Sequence, residues 1–103
     1  MAALMIIYMN IADEGWMEGY FAEVPKLLAE YGAETVAGSR RVRRIEGAMP
    51  EPDRMAVLRF PSVDAIERFM ADERYQPWRR ERQRGAAAEI FVFENAVKHA
   101  ELV

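Results

Sequence analysis

The sequence of 103 residues contains no cysteine and a single histidine, His99. The absence of cysteine excludes disulfide bonds, thiolate catalysis and cysteine-ligated zinc or iron–sulfur centres. One histidine is too few for a histidine-rich metal site, and the sequence has no glycine-rich phosphate loop or nucleophile elbow. We therefore expect neither a metal ion nor a bound cofactor.

The sequence also has no strong charge of one sign and no long hydrophobic run. Its 14 basic and 17 acidic residues give a net charge of −3, and 51% of residues are hydrophobic. The apolar residues 1–9 lack a basic leader and are too few to cross a bilayer. This composition predicts one cytoplasmic domain over residues 1–103, with a core at about 4–94 and a tail at 95–103, and no membrane partner.

The hydrophobic pattern alternates between strand-like and helix-like periods. Ser62 is a candidate N-cap for the second helix, and Gly38 indicates a bulge or bend near it in the second strand. The predicted elements are strands at residues 4–11, 34–46, 54–60 and 87–94, and helices at 16–31, 63–70 and 78–85. The order β-α-β-β-α-β predicts a ferredoxin-like α+β fold, in which a four-stranded antiparallel sheet carries the helices on one face.

The position of Arg59 predicts which side of the sheet is uncovered. An unpaired charge is costly between a sheet and its helices, so Arg59 should point away from them. Alternation then places Met5, Ile7 and Met9 under the helices. The uncovered side, which we call the open face, should carry Ile6, Tyr8, Asn10, Met55, Val57, Arg59, Glu89, Phe91 and Phe93. Because this face is too apolar for water, we expect a homodimer that forms through it.

Several short motifs resemble the domain of unknown function 1330 (DUF1330) family, within the dimeric α/β-barrel superfamily. The similarity covers about residues 4–94. The matching residues are Tyr31-Gly32, Glu46-Gly47, Arg54, Phe60-Pro61-Ser62, Tyr75 and Arg82. The chain departs from the family at Ala33, where a second glycine is common, and at Arg59, where glutamate is common.

The resemblance implies a homodimer with a cleft between each sheet and its helices or its partner. It does not indicate a particular reaction, because relatives across the superfamily include cofactor-independent monooxygenases, isomerases and small-molecule binding proteins. The departure at Arg59 removes any acid–base role that glutamate would have at that position.

A candidate ligand site combines residues of the open face with residues that follow the second helix. Tyr8 and Arg59 lie on central strands, and Tyr75, Trp78 and Arg82 come from the corner and helix that close one end of the sheet. Arginine in an apolar cleft favours an anionic ligand. We therefore predict a pocket for a small acid lined by these five residues, with no catalytic base assigned. The structural alternative is that Tyr75 and Trp78 pack the corner and Arg59 joins an interface network.

Three functions remain open at this point. The first is a cofactor-independent enzyme acting on a small, partly apolar acid or carbonyl compound. The second is a non-catalytic ligand-binding or stress-associated module. The third, RNA binding, rests on the arginines at residues 40–44, but Met55 and Val57 stand where stacking rings belong, so we expect no nucleic-acid partner. A carboxylate with a perturbed pKa inside an enclosed pocket would favour the enzyme, and an apolar cleft without one would favour the binding module.

Overall fold

The computed structural model describes residues 2–94, which form four strands and three helices. The elements are β1 (Ala3–Ile11), α1 (Met17–Glu30), β2 (Glu34–Ser39), β3 (Arg54–Phe60), α2 (Val63–Ala71), α3 (Gln76–Gly85) and β4 (Ala86–Phe93). This confirms the predicted ferredoxin-like arrangement. The third helix begins two residues earlier than expected because Pro77 fits its first turn, where no backbone donor is needed. The predicted tail and His99 lie outside the described residues.

The four strands form one antiparallel sheet in the order β2-β3-β1-β4. Met5 lies opposite Leu58, and both side chains are buried on the helix side. Ile6 lies opposite Val57 and Phe91, and Phe91 is 57% exposed. Because directly paired residues point to the same side of a sheet, the predicted division between helix side and open face is confirmed.

The core lies between the sheet and the helices. Fully buried Phe60 of β3 contacts Phe69 of α2, with ring centroids 6.0 Å apart, and Phe69 lies 4.4 Å from Tyr75. Helix α2 is set in place by Ser62, whose hydroxyl accepts a hydrogen bond from the Ala65 backbone N–H at 3.1 Å. This confirms the predicted N-cap.

The second strand is shorter than predicted. It ends at Ser39 instead of continuing through residue 46, and every residue in it is exposed. The register shifts between Thr35 and Ala37, so the strand has an irregularity near Gly38, as predicted. Because β2 is at the sheet edge and buries no side chain, packing contributes little to its pairing with β3, and the strand is short.

The segment at residues 40–53 forms no strand because its polar groups bind elsewhere. Arg40 forms an ion pair with Glu14, with Nη2 and Oε1 2.6 Å apart. The Arg44 backbone N–H donates to the Glu51 carboxylate at 2.6 Å. The arginine run is therefore part of a surface loop and not an edge strand.

A polar network joins the end of α1 to the corner between α2 and α3. The Tyr31 hydroxyl donates to Asp72 Oδ2 at 2.6 Å, and Arg74 Nη2 contacts the same oxygen at 2.8 Å. Arg74 also reaches Glu30 at 3.1 Å. These bonds hold α1 and the corner together at the C-terminal end of α1.

This network predicts a dependence of stability on acid. Hydrogen bonds from Arg74 and then from Tyr31 hold the pKa of Asp72 below its usual range. A carboxyl group whose pKa falls on folding adds stability above its unfolded pKa, and that stability is lost as the pH drops below about 4. In thermal melts from neutral to acid pH, we expect wild type to lose stability more steeply than Asp72→Asn.

The matched control is Asp64→Asn, which changes an exposed carboxylate paired with Arg68. Its thermal stability should fall with decreasing pH as steeply as that of wild type, since exposed ion pairs of this kind contribute little to stability. Equal slopes for wild type and Asp72→Asn would contradict the assignment.

Candidate functional site

A cleft of about 350 Å³ separates α1 from the helix side of the sheet. Its walls are mainly apolar. The sheet contributes Met5, Ile7, Met9, Ala56, Leu58 and Ile90, and α1 contributes Phe21, Val24, Pro25 and Leu28. The volume lies within the range of small-molecule sites.

Two tyrosines and one arginine form the polar end of the cleft. The hydroxyls of Tyr20 and Tyr75 lie 2.8 Å apart in a hydrogen bond, and Arg82 lines the same cavity. Burial and the neighbouring Tyr75 raise the pKa of Tyr20 well above its ordinary value, while Arg82 acts in the opposite direction. Tyr20 therefore keeps its proton and serves as a hydrogen-bonding group.

Arg82 is a buried cation without a counter-ion among residues 2–94. It is only 5% exposed, yet no carboxylate of residues 2–94 lies within 4.0 Å of its guanidinium nitrogens. Buried charges in proteins are normally paired, because removing an ion from water is costly. Arg82 also lines a second, more open groove that is bordered by residues of α2, α3 and β4.

Three further polar residues line the cleft at different places along it. Because β2 and β3 are antiparallel, Glu34 and Thr35 lie beside the end of β3, and Arg54 lies at its start. The Arg54 guanidinium lies over the Phe21 ring, 4.6 Å from its centroid. Glu34 is the sole carboxylate among the described lining residues, and it is bonded to Arg59 at 2.7 Å with its side chain 63% exposed.

The five residues predicted to share one pocket are not brought together. Tyr75 and Arg82 line the cleft, as expected for the corner and the third helix. Tyr8 packs against Phe91 on the open face, with ring centroids 6.0 Å apart, and Arg59 points to the same face. The sheet itself therefore separates Tyr8 and Arg59 from the other predicted residues.

Trp78 also lies outside the cleft. It packs against the core, and a Cβ placed on Gly19 of α1 would come within 3.0 Å of its ring. Its accessible edge borders a separate surface groove with Arg80 and Arg84. The structural alternative, in which Trp78 packs the corner, describes this position better than the ligand-wall prediction.

Sequence reasoning missed Tyr20 and Arg54. Tyr20 lies at helical spacing with Trp16, Val24 and Leu27, and this pattern does not distinguish a core residue from one that lines a cavity. Arg54 has the same strand parity as Ala56 and Leu58, so alternation already placed it on the helix side. That parity was the available signal for an inward-pointing cation.

The cleft can bind an oxygen-bearing group, and its lining residues within 2–94 include no buried carboxylate. A guanidinium and two hydroxyls can donate hydrogen bonds to an anionic oxygen, and such charge-assisted bonds are among the strong ones in proteins. No cluster of metal-binding side chains occurs among residues 2–94. In that part of the chain, no helix has the length and apolar character needed to cross a membrane.

The topology and the cleft together define a ferredoxin-like α+β protein with a cavity of small-molecule size between its sheet and helices. The chain belongs to the family described as Domain of unknown function (DUF1330), which matches residues 2–96. This confirms the resemblance found in the sequence motifs. No curated protein matches the chain.

Solved structures share the fold at low identity. A protein of unknown function from Rhodopseudomonas palustris, RPA0582, has a TM-score of 0.79 at 14% identity, covering 94% of this chain and 84% of its own. SnoaB, a cofactor-independent oxygenase from Streptomyces nogalater, has a TM-score of 0.67 at 13% identity, covering 95% and 96%. An uncharacterised NIPSNAP domain protein from Burkholderia xenovorans has a TM-score of 0.59 at 15% identity, covering 94% and 96%. At these identities the likeness concerns the fold alone.

Proposed function

We propose that this protein binds a small acid with an apolar body in the cleft between α1 and the sheet. The observation that carries the proposal is the buried guanidinium of Arg82, which has no carboxylate partner among the described residues. An anionic ligand would supply the missing charge. Tyr20 and Tyr75 would orient its oxygen atoms, and the apolar walls would hold its body.

The absence of a buried carboxylate in the described lining of the cleft favours binding over catalysis. The Glu34 side chain is exposed and forms an ion pair with Arg59, and the carboxyl with a strongly lowered pKa, Asp72, belongs to the corner network. An apolar cleft without a carboxylate of perturbed pKa suits a ligand-binding module better than an enzyme. The expected location in the cytoplasm and the expected absence of nucleic-acid binding stay predictions.

The second candidate is a cofactor-independent enzyme, which the Tyr20–Tyr75–Arg82 group favours. Preorganised donors of this kind stabilise an oxyanion or enolate as it forms from a carbonyl compound. The fold likeness to SnoaB, a cofactor-independent oxygenase, is compatible with this activity. Recovery of a bound compound unchanged after prolonged incubation in air would separate binding from turnover.

The test of acid binding compares wild type with Arg82→Met. Octanoate and naphthoate are titrated calorimetrically, and any small molecule that co-purifies is identified by mass spectrometry. Loss of a charged hydrogen bond should cost about 1.5–3 kcal/mol, so we expect Arg82→Met to weaken acid binding by roughly ten- to 150-fold. The same variant removes an unpaired buried charge, so its free form should be at least as stable as wild type.

The matched control is Arg80→Met, which removes an exposed arginine of the same helix outside the cleft. It should bind both acids like wild type. Equal affinities of wild type and Arg82→Met, or no binding of either acid by wild type, would overturn the proposal.

We further propose that the chain forms a homodimer through the open face. Phe91 and Phe93 are each 57% exposed there, beside half-buried Val57. Arg59, which is paired with Glu34 within the chain, and Glu89 add polar groups to the same face. Light scattering should give twice the monomer mass of 11.9 kDa, and a stable monomer at micromolar concentration would contradict it.

A further inference from the structure

Arg54 is a second cation that lines the cleft. It is the first residue of β3 and lies opposite Met9, near the end of β1, on the helix side of the sheet. Its guanidinium lies 4.6 Å from the centroid of the Phe21 ring, so an aromatic face of α1 fixes the position of the charge. The centroids of the Phe21 and Tyr20 rings are 5.3 Å apart. Arg54 therefore reaches from the sheet to the part of α1 that carries Tyr20.

Arg82 belongs to the same end of the sheet. It lies about one helical turn before Gly85, the last residue of α3. The Gly85 backbone oxygen accepts the N–H groups of the two residues that follow β1, at 2.8 and 3.0 Å. Tyr20 lies near the start of α1, the helix that follows this strand. The end of β1 thus brings together the start of β3, the start of α1 and the end of α3, and with them Arg54, Tyr20 and Arg82.

Both guanidinium groups act electrostatically on Tyr20. Burial and Tyr75 raise the pKa of Tyr20, and the charge of Arg82 opposes that rise. Burial and then the like charge of Arg40 lower the pKa of Arg54, and Tyr20 acts in the opposite direction. Because such effects decline with distance, the two cations and the hydroxyl share one polar region of the cleft.

No described carboxylate neutralises either cation. Among residues 2–94, none lies within 4.0 Å of the guanidinium nitrogens of Arg54 or Arg82. The carboxylate next to Arg54 in the chain, that of Asp53, instead accepts the Ile11 backbone N–H at 2.7 Å. A singly charged anion bound in this region would therefore neutralise only one of the two positive charges.

We propose that the acid preferred by this cleft carries two negative charges on a single head group, as a phosphate monoester does, and that Arg54 and Arg82 bind that head together. This inference rests on the proposed function, in which Arg82 binds an acid with an apolar body. A phosphate monoester offers three acceptor oxygens, and guanidinium groups pair with phosphate in a bidentate manner. Arg54 is then the residue that determines specificity, since it supplies the second positive charge.

The test compares octyl phosphate with octyl sulfate by calorimetric titration at about pH 7.5. The phosphate is then mainly doubly charged, since its second pKa is about 6, whereas the sulfate has the same chain and head shape but one charge. Wild type should bind octyl phosphate more than about tenfold more tightly, the effect of one additional charged hydrogen bond. Arg54→Met should lower this ratio by about tenfold, and Arg54→Lys, which keeps the charge, should still prefer the phosphate.

The control variant is Arg41→Met, which removes an exposed arginine of the surface loop and should keep the wild-type ratio. Arg54→Gln replaces Arg54→Met if the latter does not fold. Inorganic phosphate should bind more than about tenfold more weakly than octyl phosphate, because it leaves the apolar walls empty. Equal affinity for the two would overturn the inference, since the site would then recognise the free ion.

Two further outcomes separate this inference from the proposed function. Binding of octanoate or octyl sulfate with no preference for octyl phosphate, or a ratio unchanged in Arg54→Met, would overturn the inference and leave the proposed function standing. Failure of all three acids to bind to wild type would overturn both.

Discussion

Gly85→Ala should lower the free energy of unfolding by about 3 kcal/mol, the upper part of the range for overpacked sites. A Cβ on Gly85 would lie 2.3 Å from Cδ1 and 2.5 Å from Nε1 of Trp16, and 2.9 Å from the backbone oxygen of Asp13. The backbone cannot easily withdraw, because the Gly85 oxygen accepts the N–H groups of Ala12 and Asp13 at 2.8 and 3.0 Å. For a domain of this size, the melting temperature should fall by roughly 12–24 °C.

Gly15→Ala is the matched control for this change. A Cβ at Gly15 would meet only the Asp13 side chain, at the ordinary distance of 3.4 Å. Its effect should stay within about 0.5 kcal/mol of wild type. Combining Gly85→Ala with Trp16→Leu should cost less than the two changes added together, because the smaller side chain makes room for the new methyl group. A loss below about 1 kcal/mol for Gly85→Ala alone would show that Trp16 can move aside.

Val57→Glu should convert the proposed dimer into a monomer or prevent its folding. Val57 lies at the centre of the open face, opposite Ile6 in β1 and Ala37 in β2. Burying an unpaired carboxylate between two sheets costs several kcal/mol, enough to dissociate an interface of ordinary size. Light scattering should report a single-chain mass for the variant at concentrations where wild type is dimeric.

Phe93→Glu keeps this prediction testable if Val57→Glu does not fold. Phe93 is 57% exposed in the single chain, so glutamate there leaves the core of each subunit intact. Ala22→Glu, on the exposed surface of α1, is the control and should remain dimeric. A folded Phe93→Glu protein with the wild-type dimer mass would place the interface elsewhere.

The strands and their faces could be predicted from the sequence because one charged residue determined the alternation. Arg59 fixed which side of β3 points away from the helices, and the register carried that assignment to β1 and β4. The bounds of β3 were predicted correctly, since Pro61 follows it and Asp53 precedes it. The end of β2 was not, because its arginines bind Glu14 and Glu51, and no periodic pattern encodes such contacts.

The candidate site was only partly accessible to sequence reasoning. Tyr75 and Arg82 were identified from the corner and the third helix, and both line the cleft. The alternation along the strands puts Tyr8 and Arg59 on the open face. A single pocket that joins them to Tyr75 and Arg82 was therefore inconsistent with that alternation. Tyr20 could not be separated from core residues, because a helical stripe does not reveal where α1 stands away from the sheet.

Successive residues of β1 belong alternately to the cleft and to the open face, so the two surfaces can change independently. Met5, Ile7 and Met9 line the cleft, while Ile6 and Tyr8, between them in sequence, contact only the opposite side. A substitution at Ile7 reshapes the cavity and leaves the other surface unchanged, and a substitution at Ile6 does the reverse. The two faces of this strand can therefore change in sequence independently of each other. Such freedom is compatible with a backbone that persists in proteins of 13–15% identity.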